Sequence, residues 1–347
     1  MSYIGRLAPS PTGAQHVGNA RTYLVAWLLS RQFDGKLLLR VEDLDTPRTK
    51  PGAMAEALED LAWLGIDWDP VDATISYITQ SERESRYQEV LDQLKSRELI
   101  YPCCCSRTDI DRASATSEAS APHESVLDGA VYPGTCAGNT VADAEEMTRQ
   151  GKVFSWRFRM PTGTFQFHDQ LHGSQHLDAK SKLGDFVIAR SSGVTAYQLA
   201  VVIDDHDFEI NHVVRGDDLI YSTYRQIALY QTLQWPCPAW LHVPLVTGVD
   251  GHRLAKRHGD SRLSSYRKQG VHPQSILGYL GCSLGLIPSP EPVLIRDLLA
   301  IARTDNSWVQ RVSRCPLVFQ DRFQTVTFGT TSPLAYRAVD FMVRRTS

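Results

Sequence analysis

Four sets of residues in this 347-residue chain have the types and spacing to do chemistry. The first is Arg6 to Asn19, which reads R-L-A-P-S-P-T-G-A-Q-H-V-G-N. A strand over Tyr3 to Ala8 leads into a loop with two prolines and a glycine, and a helix should start where the stretch ends. That order sets unpaired helical N–H groups and the positive end of a helix dipole beside the loop, a layout that suits phosphate. His16 can donate to a phosphoryl oxygen, and Gly18 allows close approach to the backbone. The second set is Arg253 to Gly259, R-L-A-K-R-H-G, where Lys256 is a mobile point charge suited to a triphosphate. Alone, such a basic loop reads as a solvated turn. The third set pairs two arginines, Arg6 and Arg215, each able to grip a carboxylate, with Glu42 for an ammonium and the Tyr197 phenol. The fourth is Cys103-x-Cys105 followed by Tyr132-x-x-x-Cys136. Three thiolates and a tyrosinate oxygen would close a tetrahedral zinc site, although the spacing is not that of a zinc finger and Cys104 intervenes.

These residues need a frame. Ala20, Tyr23, Leu24, Trp27 and Leu28 predict an amphipathic helix, and Lys36 to Glu42 a buried parallel strand. A helix follows from about Pro51, and Ser81 with Glu84 predicts a capping box ahead of another. This alternation indicates a doubly wound α/β sheet. The pattern breaks at Tyr101, and Val153 to Phe167 reads as short strands. Strands return at Gln198 to Ile203, Val213 to Arg215 and Leu241 to Val246, with a helix capped by Ser222 between the last two. Beyond Ser275 a short helix through Leu280 is expected, and residues 301–347, at a local charge of +4, carry little periodicity. The predicted division is 1–100 and 191–260 for two halves of a catalytic domain, 101–190 for an insertion, 261–300 for a short helical segment and 301–347 without assigned structure. His168, His172 and His176 are spaced by four, but Gly173 interrupts them and the preceding T-F-Q-F alternates like a strand, so no metal stripe is read there. Asp204 and Asp205 are read as structural.

Composition narrows the class. Hydrophobic residues make up 42% and charged residues 22%, which fits a soluble globular protein. No apolar run reaches membrane-spanning length, so the expected setting is the cytoplasm, without a membrane partner. A net charge of −3 gives no bulk attraction to nucleic acid, and any RNA must meet a local basic face. Seven cysteines, three of them adjacent, suit metal binding better than a disulfide framework.

Arg6 to Asn19 closely resembles the "HIGH" signature of class I aminoacyl-tRNA synthetases, in its glutamyl-branch form. Arg253 to Gly259 stands where that family has K-L-S-K-R-H-G, with Ala255 in place of the usual serine. Tyr197 to His206 and Val213 to Leu219 resemble the same branch, and the C-x-C…Y-x-x-x-C arrangement resembles the glutamyl-Q tRNA(Asp) synthetases. The resemblance covers roughly residues 4 to 282. It implies a class I Rossmann-type doubly wound parallel sheet, a zinc-bearing α+β insertion and a short helical C-terminal part. It implies His16 and Lys256 as catalytic residues, ATP on His16, Gly18, Asn19 and Lys256, and Mg2+ with the ATP. It places L-glutamate among Arg6, Ala8, Ser10, Glu42, Tyr197 and Arg215, and structural Zn2+ on Cys103, Cys105, Tyr132 and Cys136. The reaction implied is formation of glutamyl-adenylate, then transfer to the queuosine base at the wobble position of tRNA(Asp), by a monomer. Nothing in the residues themselves identifies that acceptor. Only 91 residues follow Lys256, where a full glutamyl-tRNA synthetase carries a helical anticodon-binding region. A truncated glutamyl-tRNA synthetase and a non-catalytic RNA-binding paralogue stay open as alternatives.

Overall fold

The computed structural model describes residues 2–11, 13–44, 49–115, 130–248, 261–312 and 317–319. The chain opens with β1 (Ile4–Leu7), α1 (Val17–Gln32), β2 (Lys36–Val41), α2 (Ala53–Leu64), β3 (Ile78–Thr79) and α3 (Glu84–Ser96). All three strands are parallel, in the order β1-β2-β3. The run L-L-L-R-V makes β2 because both of its faces are covered; Leu37 to Val41 are all buried. At the end of α2, Gly65 takes φ +76°, a left-handed cap conformation that glycine adopts without a Cβ clash.

The middle of the chain supplies β4 (Ile100–Cys103), α4 (Arg107–Ala115), α5 (Val141–Arg149), β5 (Ser155–Phe158), β6 (Thr164–Asp169), β7 (Gly173–Asp178), α6 (Ala179–Lys182) and β8 (Phe186–Arg190). β4, β5 and β8 form an antiparallel sheet, while the β6–β7 hairpin leaves it. Next come α7 (Tyr197–Asp207), β9 (His212–Gly216), α8 (Ile220–Leu233), β10 (Ala239–Val243) and β11 (Val246–Thr247). β10 lies parallel between β9 and β6, so the hairpin extends the second sheet in the order β7-β6-β10-β9. The two sheets meet at β1 and β9. Asn211 N–H donates to the Ile4 carbonyl at 3.0 Å, Ile4 N–H donates to Asn211 Oδ1 at 2.8 Å, and Arg6 Nη1 donates to the Val214 carbonyl at 2.8 Å. Side chains thus bridge a seam that a regular ladder would otherwise close.

The chain continues with α9 (Leu263–Lys268), α10 (Pro273–Ser283), α11 (Ile295–Thr304), α12 (Trp308–Arg311) and β12 (Leu317–Val318), the last pairing parallel with β11. Here the sequence reading needs correction. Residues of the expected tail up to 312 pack on α1: Trp308 is fully buried and its Nε1 donates to Gln32 Oε1 at 2.8 Å. For this reason α1 is buried almost all round rather than on one stripe, with Val25, Ala26, Leu29 and Ser30 also covered.

Three local expectations also fail. Gln198 to Ile203 is helical, the middle of α7, not a strand. Its apolar run is continuous because Leu199 through Asp205 are all buried, and continuous burial erases the period that separates helix from strand. Ser222 lies inside α8, where its Oγ accepts from Gln198 Nε2 at 2.9 Å; the cap position is Leu219. Ser81 does not form a capping box. Its N–H and hydroxyl both go to Asp43, at 2.9 and 2.6 Å, and a 3-10 turn over Gln80–Arg83 precedes α3.

The three spaced histidines sit on or beside the β6–β7 hairpin, where His168 is paired with Ser174 and His176 with Gln166. Asp204 and Asp205 are buried ion-pair partners of Arg83 and Arg40.

Candidate active site

The carboxyl ends of β1, β2, β9 and β10 open on one cleft of about 320 Å³, the position at which open parallel sheets hold ligands. It is lined by Arg6, Ala8 and Ser10 after β1, by Glu42 after β2, and by Arg215 and Gly216 at the end of β9. Pro244, Leu245 and Val246 follow from β10. His16, Gly18, Asn19, Thr22, Tyr23 and Ala26 come from the start of α1, and Tyr197 from the start of α7. The structure therefore brings together nine of the ten residues expected for glutamate and ATP. The tenth, Lys256, lies outside the described residues, as does Ala255. Both ends of the segment that carries it are described. β11 leaves the cleft wall at Val246, and the chain returns at Ser261, whose carbonyl accepts Val17 N–H at 3.1 Å. Arg262 then bridges to His16.

His16 is the N-cap of α1. Its imidazole accepts the Gly18 N–H on Nδ1 at 3.2 Å and also takes the N–H of Asn19, while Asn19 Oδ1 accepts His16 N–H at 3.2 Å. The expectation of bare N–H groups at this helix start is thus corrected: His16 and Ser261 already satisfy them. With Nδ1 as acceptor, Nε2 carries the proton. What remains for an anion here is the helix dipole and an oriented imidazole donor.

The two arginines differ. Arg6 and Arg215 are both buried. Arg6 Nη1 is bound to the Val214 carbonyl, and its buried Nε has no hydrogen-bond partner. Arg215 directs Nε at His242 Nε2 (3.1 Å), Nη1 at Gln226 Oε1 (2.9 Å), and Nη2 at Thr223 Oγ1 (2.7 Å) and the Leu219 carbonyl (3.4 Å). Four of a guanidinium's five N–H donors are thus committed within the protein, and the Tyr197 hydroxyl is a further hydrogen-bond partner. Burial lowers its affinity for the proton, partly offset by the Tyr197 hydroxyl. Glu42 stands opposite with Oε1 3.1 Å from Arg40 Nη2 and Oε2 3.5 Å from Ser10 Oγ. Burial raises its carboxyl above the usual range despite Arg40 and Arg6.

His242, Thr223, Gln226 and Asp169, which hold Arg215 in place, were not singled out by the sequence. Asp169 and His242 are 73 positions apart, and no local spacing signals that strand pairing will join them.

The cysteines form a second cluster. The sulfur atoms of Cys103, Cys105 and Cys136 all lie within 4.8 Å of one another, with Cys105 and Cys136 3.6 Å apart. Tyr132 Oη is 3.4 Å from Cys103 Sγ and 3.9 Å from Cys105 Sγ. A tetrahedral zinc with ordinary bond lengths has S···S edges of about 3.8 Å and S···O edges of about 3.5 Å, close to the 3.6 Å Cys105–Cys136 edge and the 3.4 and 3.9 Å edges from Tyr132. Cys104 points elsewhere, exposed, with its sulfur 3.6 Å from Met147 Sδ. Burial and the neighbouring thiols push the Tyr132 phenol up, so its oxygen would need a bound cation to ionise. Burial opposes the Cys103 thiolate, yet hydrogen bonds from Tyr132 and Arg157 outweigh it and bring the thiol below its usual value.

Residues 4–310 match the family of class I tRNA synthetases (E and Q), catalytic domain. The chain is 45% identical over 347 aligned residues to a glutamyl-Q tRNA(Asp) synthetase from Rhodopirellula baltica, covering 95% of this chain and 99% of that one. It is 44% identical to another of that name from Symbiobacterium thermophilum, covering 86% and 91%. The solved glutamate-tRNA synthetase of Elizabethkingia anophelis has the same fold, with a TM-score of 0.75 at 24% identity over 93% of this chain and 69% of that one. No described helix is long and apolar enough to cross a membrane. With the cleft at the carboxyl edge of a parallel sheet and a histidine-capped helix at its mouth, the chain belongs to the class I tRNA synthetases (E and Q), in the group of the glutamyl-Q tRNA(Asp) synthetases.

Proposed function

We propose that the protein is a ligase that activates L-glutamate with Mg-ATP and transfers the glutamyl group to queuosine in tRNA(Asp). The observation that carries this reading is one cleft that brings two buried arginines together with a partly exposed carboxylate, Glu42, below the N-terminus of α1. Glutamate has two carboxylates and one ammonium, the complementary set. In the first step a glutamate α-carboxylate oxygen bonds to the α-phosphorus and the bond to the pyrophosphate oxygen breaks. In the second a hydroxyl of the acceptor attacks the glutamyl carbonyl carbon, loses its proton, and AMP leaves.

Arg6 and Arg215 bind and orient carboxylate, Glu42 holds the ammonium, and Ala8, Ser10 and Tyr197 shape the pocket. His16, Gly18 and Asn19 seat the nucleotide, and His16 Nε2–H with Lys256 steadies phosphate charge. The anchoring of Ser261 on Val17 supports this placement of Lys256, because it returns the chain to the nucleotide end of the cleft. Mg2+, arriving with ATP, supplies charge neutralisation on the phosphates. Zinc on Cys103, Cys105, Tyr132 and Cys136 would be structural, within an insertion spanning 101–190 between catalytic halves at 1–100 and 191–260. This reading implies a monomer in the cytoplasm.

Isotope exchange between pyrophosphate and ATP, run with glutamate and no tRNA, tests the first step. Exchange is expected without tRNA. Transfer is then expected to tRNA(Asp) carrying queuosine and not to the same tRNA lacking it. Glutamate recovered on the terminal adenosine would overturn the reading in favour of a glutamyl-tRNA synthetase, and no exchange would favour a non-catalytic RNA-binding protein.

A further inference from the structure

Arg215 is held by neutral groups on every side. Its partners are the His242 imidazole, the Gln226 amide, the Thr223 hydroxyl, the Leu219 carbonyl and the Tyr197 hydroxyl. Among the described residues no carboxylate forms an ion pair with it, in contrast to Arg40, which touches Asp204, Asp205 and Glu42. The placement of His242 follows from strand register, since β10 sets His242 directly opposite Arg215 on β9.

Behind His242 stands Asp169, at the end of β6. The two side chains are fully buried, with Asp169 Oδ2 2.7 Å from His242 Nδ1. The same oxygen accepts the His242 main-chain N–H at 3.0 Å, and Oδ1 accepts the N–H groups of Leu171 (2.9 Å) and His172 (2.8 Å). An Asp so surrounded by donors is an acceptor only, so the shared proton belongs on His242 Nδ1. Nε2 then presents a lone pair, and Arg215 Nε–H and the Thr223 hydroxyl are placed to use it, at 3.1 and 3.0 Å.

We propose that Asp169 and His242 are positioning residues that aim Arg215 at the glutamate side-chain carboxylate without neutralising it, and so set the preference for glutamate over glutamine. The proposal rests on the glutamate-pocket reading above. A carboxylate placed directly on Arg215 would fix the guanidinium equally well, but its charge would offset the field that the substrate must feel. Interposing an imidazole keeps the rigid anchor and moves the negative charge one ring further from the cleft. Coulomb attraction falls with distance and is strong in a buried site, so this displacement matters. A buried, uncompensated cation favours an anionic ligand, and neutral glutamine gains no such attraction.

Two substitutions separate aiming from bulk support. In His242→Asn the short amide can still donate to Asp169 but cannot reach Arg215; in His242→Gln the longer side chain can offer its oxygen to Arg215. Pyrophosphate exchange should give His242→Asn a glutamate KM raised about tenfold or more, as expected for losing a hydrogen bond to a charged group. Its KM for ATP should stay within about twofold, its ratio of glutamate to glutamine use should fall, and His242→Gln should recover most of the loss. Wild-type glutamate KM in both variants overturns the proposal. So does a joint rise of the glutamate and ATP constants with a falling thermal midpoint, which marks a merely structural role. Arg215→Ala is the control. If its glutamate KM is also unchanged, the pocket reading itself has failed; if only Arg215→Ala raises it, the relay alone has.

Discussion

Tyr132 accepts the main-chain N–H of Cys136 at 2.7 Å on the same phenolic oxygen that faces the sulfurs of Cys103 and Cys105. That N–H favours the phenolate and partly offsets the burial and neighbouring thiols that disfavour it. Arg157 adds to this, since its guanidinium carbon lies 3.9 Å from the centroid of the Tyr132 ring. The Tyr132 phenol thus has polar contacts at both its edge and its face.

Zinc content should follow from this arrangement. Protein prepared without chelator is expected to hold about one zinc per chain, and Cys136→Ala to lose it. Cys104→Ala should keep it, because that sulfur faces Met147 instead of the cluster. Metal analysis of the three proteins decides; retention by Cys136→Ala, or loss by Cys104→Ala, would show that the ligand set is wrong.

Much of the lining of the candidate cleft was legible because its residues lie in unbroken local motifs. Arg6 to Asn19 gives a strand, a loop and a helix start in sequence, and local order fixes their geometry. Glu42 and Arg215 were legible as the ends of apolar runs. The helix at Gln198 to Ile203 was not, because burial on all sides removed its polar face. Nor was the packing of Trp308 on α1 legible: α11 carries an apolar stripe of Ile295, Leu298, Leu299 and Ala302, but a stripe does not say which helix it will meet or that the chain beyond it packs alongside. His242 and Asp169 were invisible for another reason: each acquires its role only when β10 pairs with both β9 and β6.

Arg215→Ala should weaken glutamate use strongly while ATP binding survives. Removing one partner of a desolvated, charge-assisted contact costs about 2–5 kcal/mol. Glutamate dependence of pyrophosphate exchange, compared with ATP dependence in the same protein, is the measurement. An unchanged glutamate constant would remove Arg215 from the pocket.

Arg21 ties α1 to the far wall of the cleft. It is fully buried, and its guanidinium donates to the Pro244 carbonyl at 2.8 Å, Ser283 Oγ at 3.3 Å and the Ser283 carbonyl at 3.4 Å. Arg21→Met keeps most of the stem but orphans the buried Pro244 carbonyl and leaves the half-buried Ser283 carbonyl without its guanidinium, at an expected cost of about 1–3 kcal/mol. Burial lowers the Arg21 pKa only to about 10, so it stays charged below that. The loss in urea midpoint should therefore be the same at pH 6 and pH 8.5. A midpoint that does not move would show these hydrogen bonds to be worth nothing net.

Glu42 should trade stability for substrate binding. Burial raises its carboxyl above the ordinary value of 4.5, even with Arg40 and Arg6 nearby. A raised acid binds its proton more tightly in the folded state than in the unfolded one. Stability from this group is therefore fully present below pH 4.5 and is lost as pH rises through the folded pKa. Once ionised, this carboxylate is a burden on the empty protein, and the ammonium of the proposed substrate is the partner that would relieve it. Glu42→Gln imitates the neutral acid. Its urea midpoint should exceed that of the wild type at pH 7.5 and converge with it at pH 4. The same variant should lose glutamate-dependent exchange, since an amide cannot pair with the ammonium as a carboxylate does. Equal midpoints at pH 7.5 would mean that Arg40 and Arg6 fully compensate the buried charge. A more stable variant with undiminished exchange would mean that the ammonium binds elsewhere.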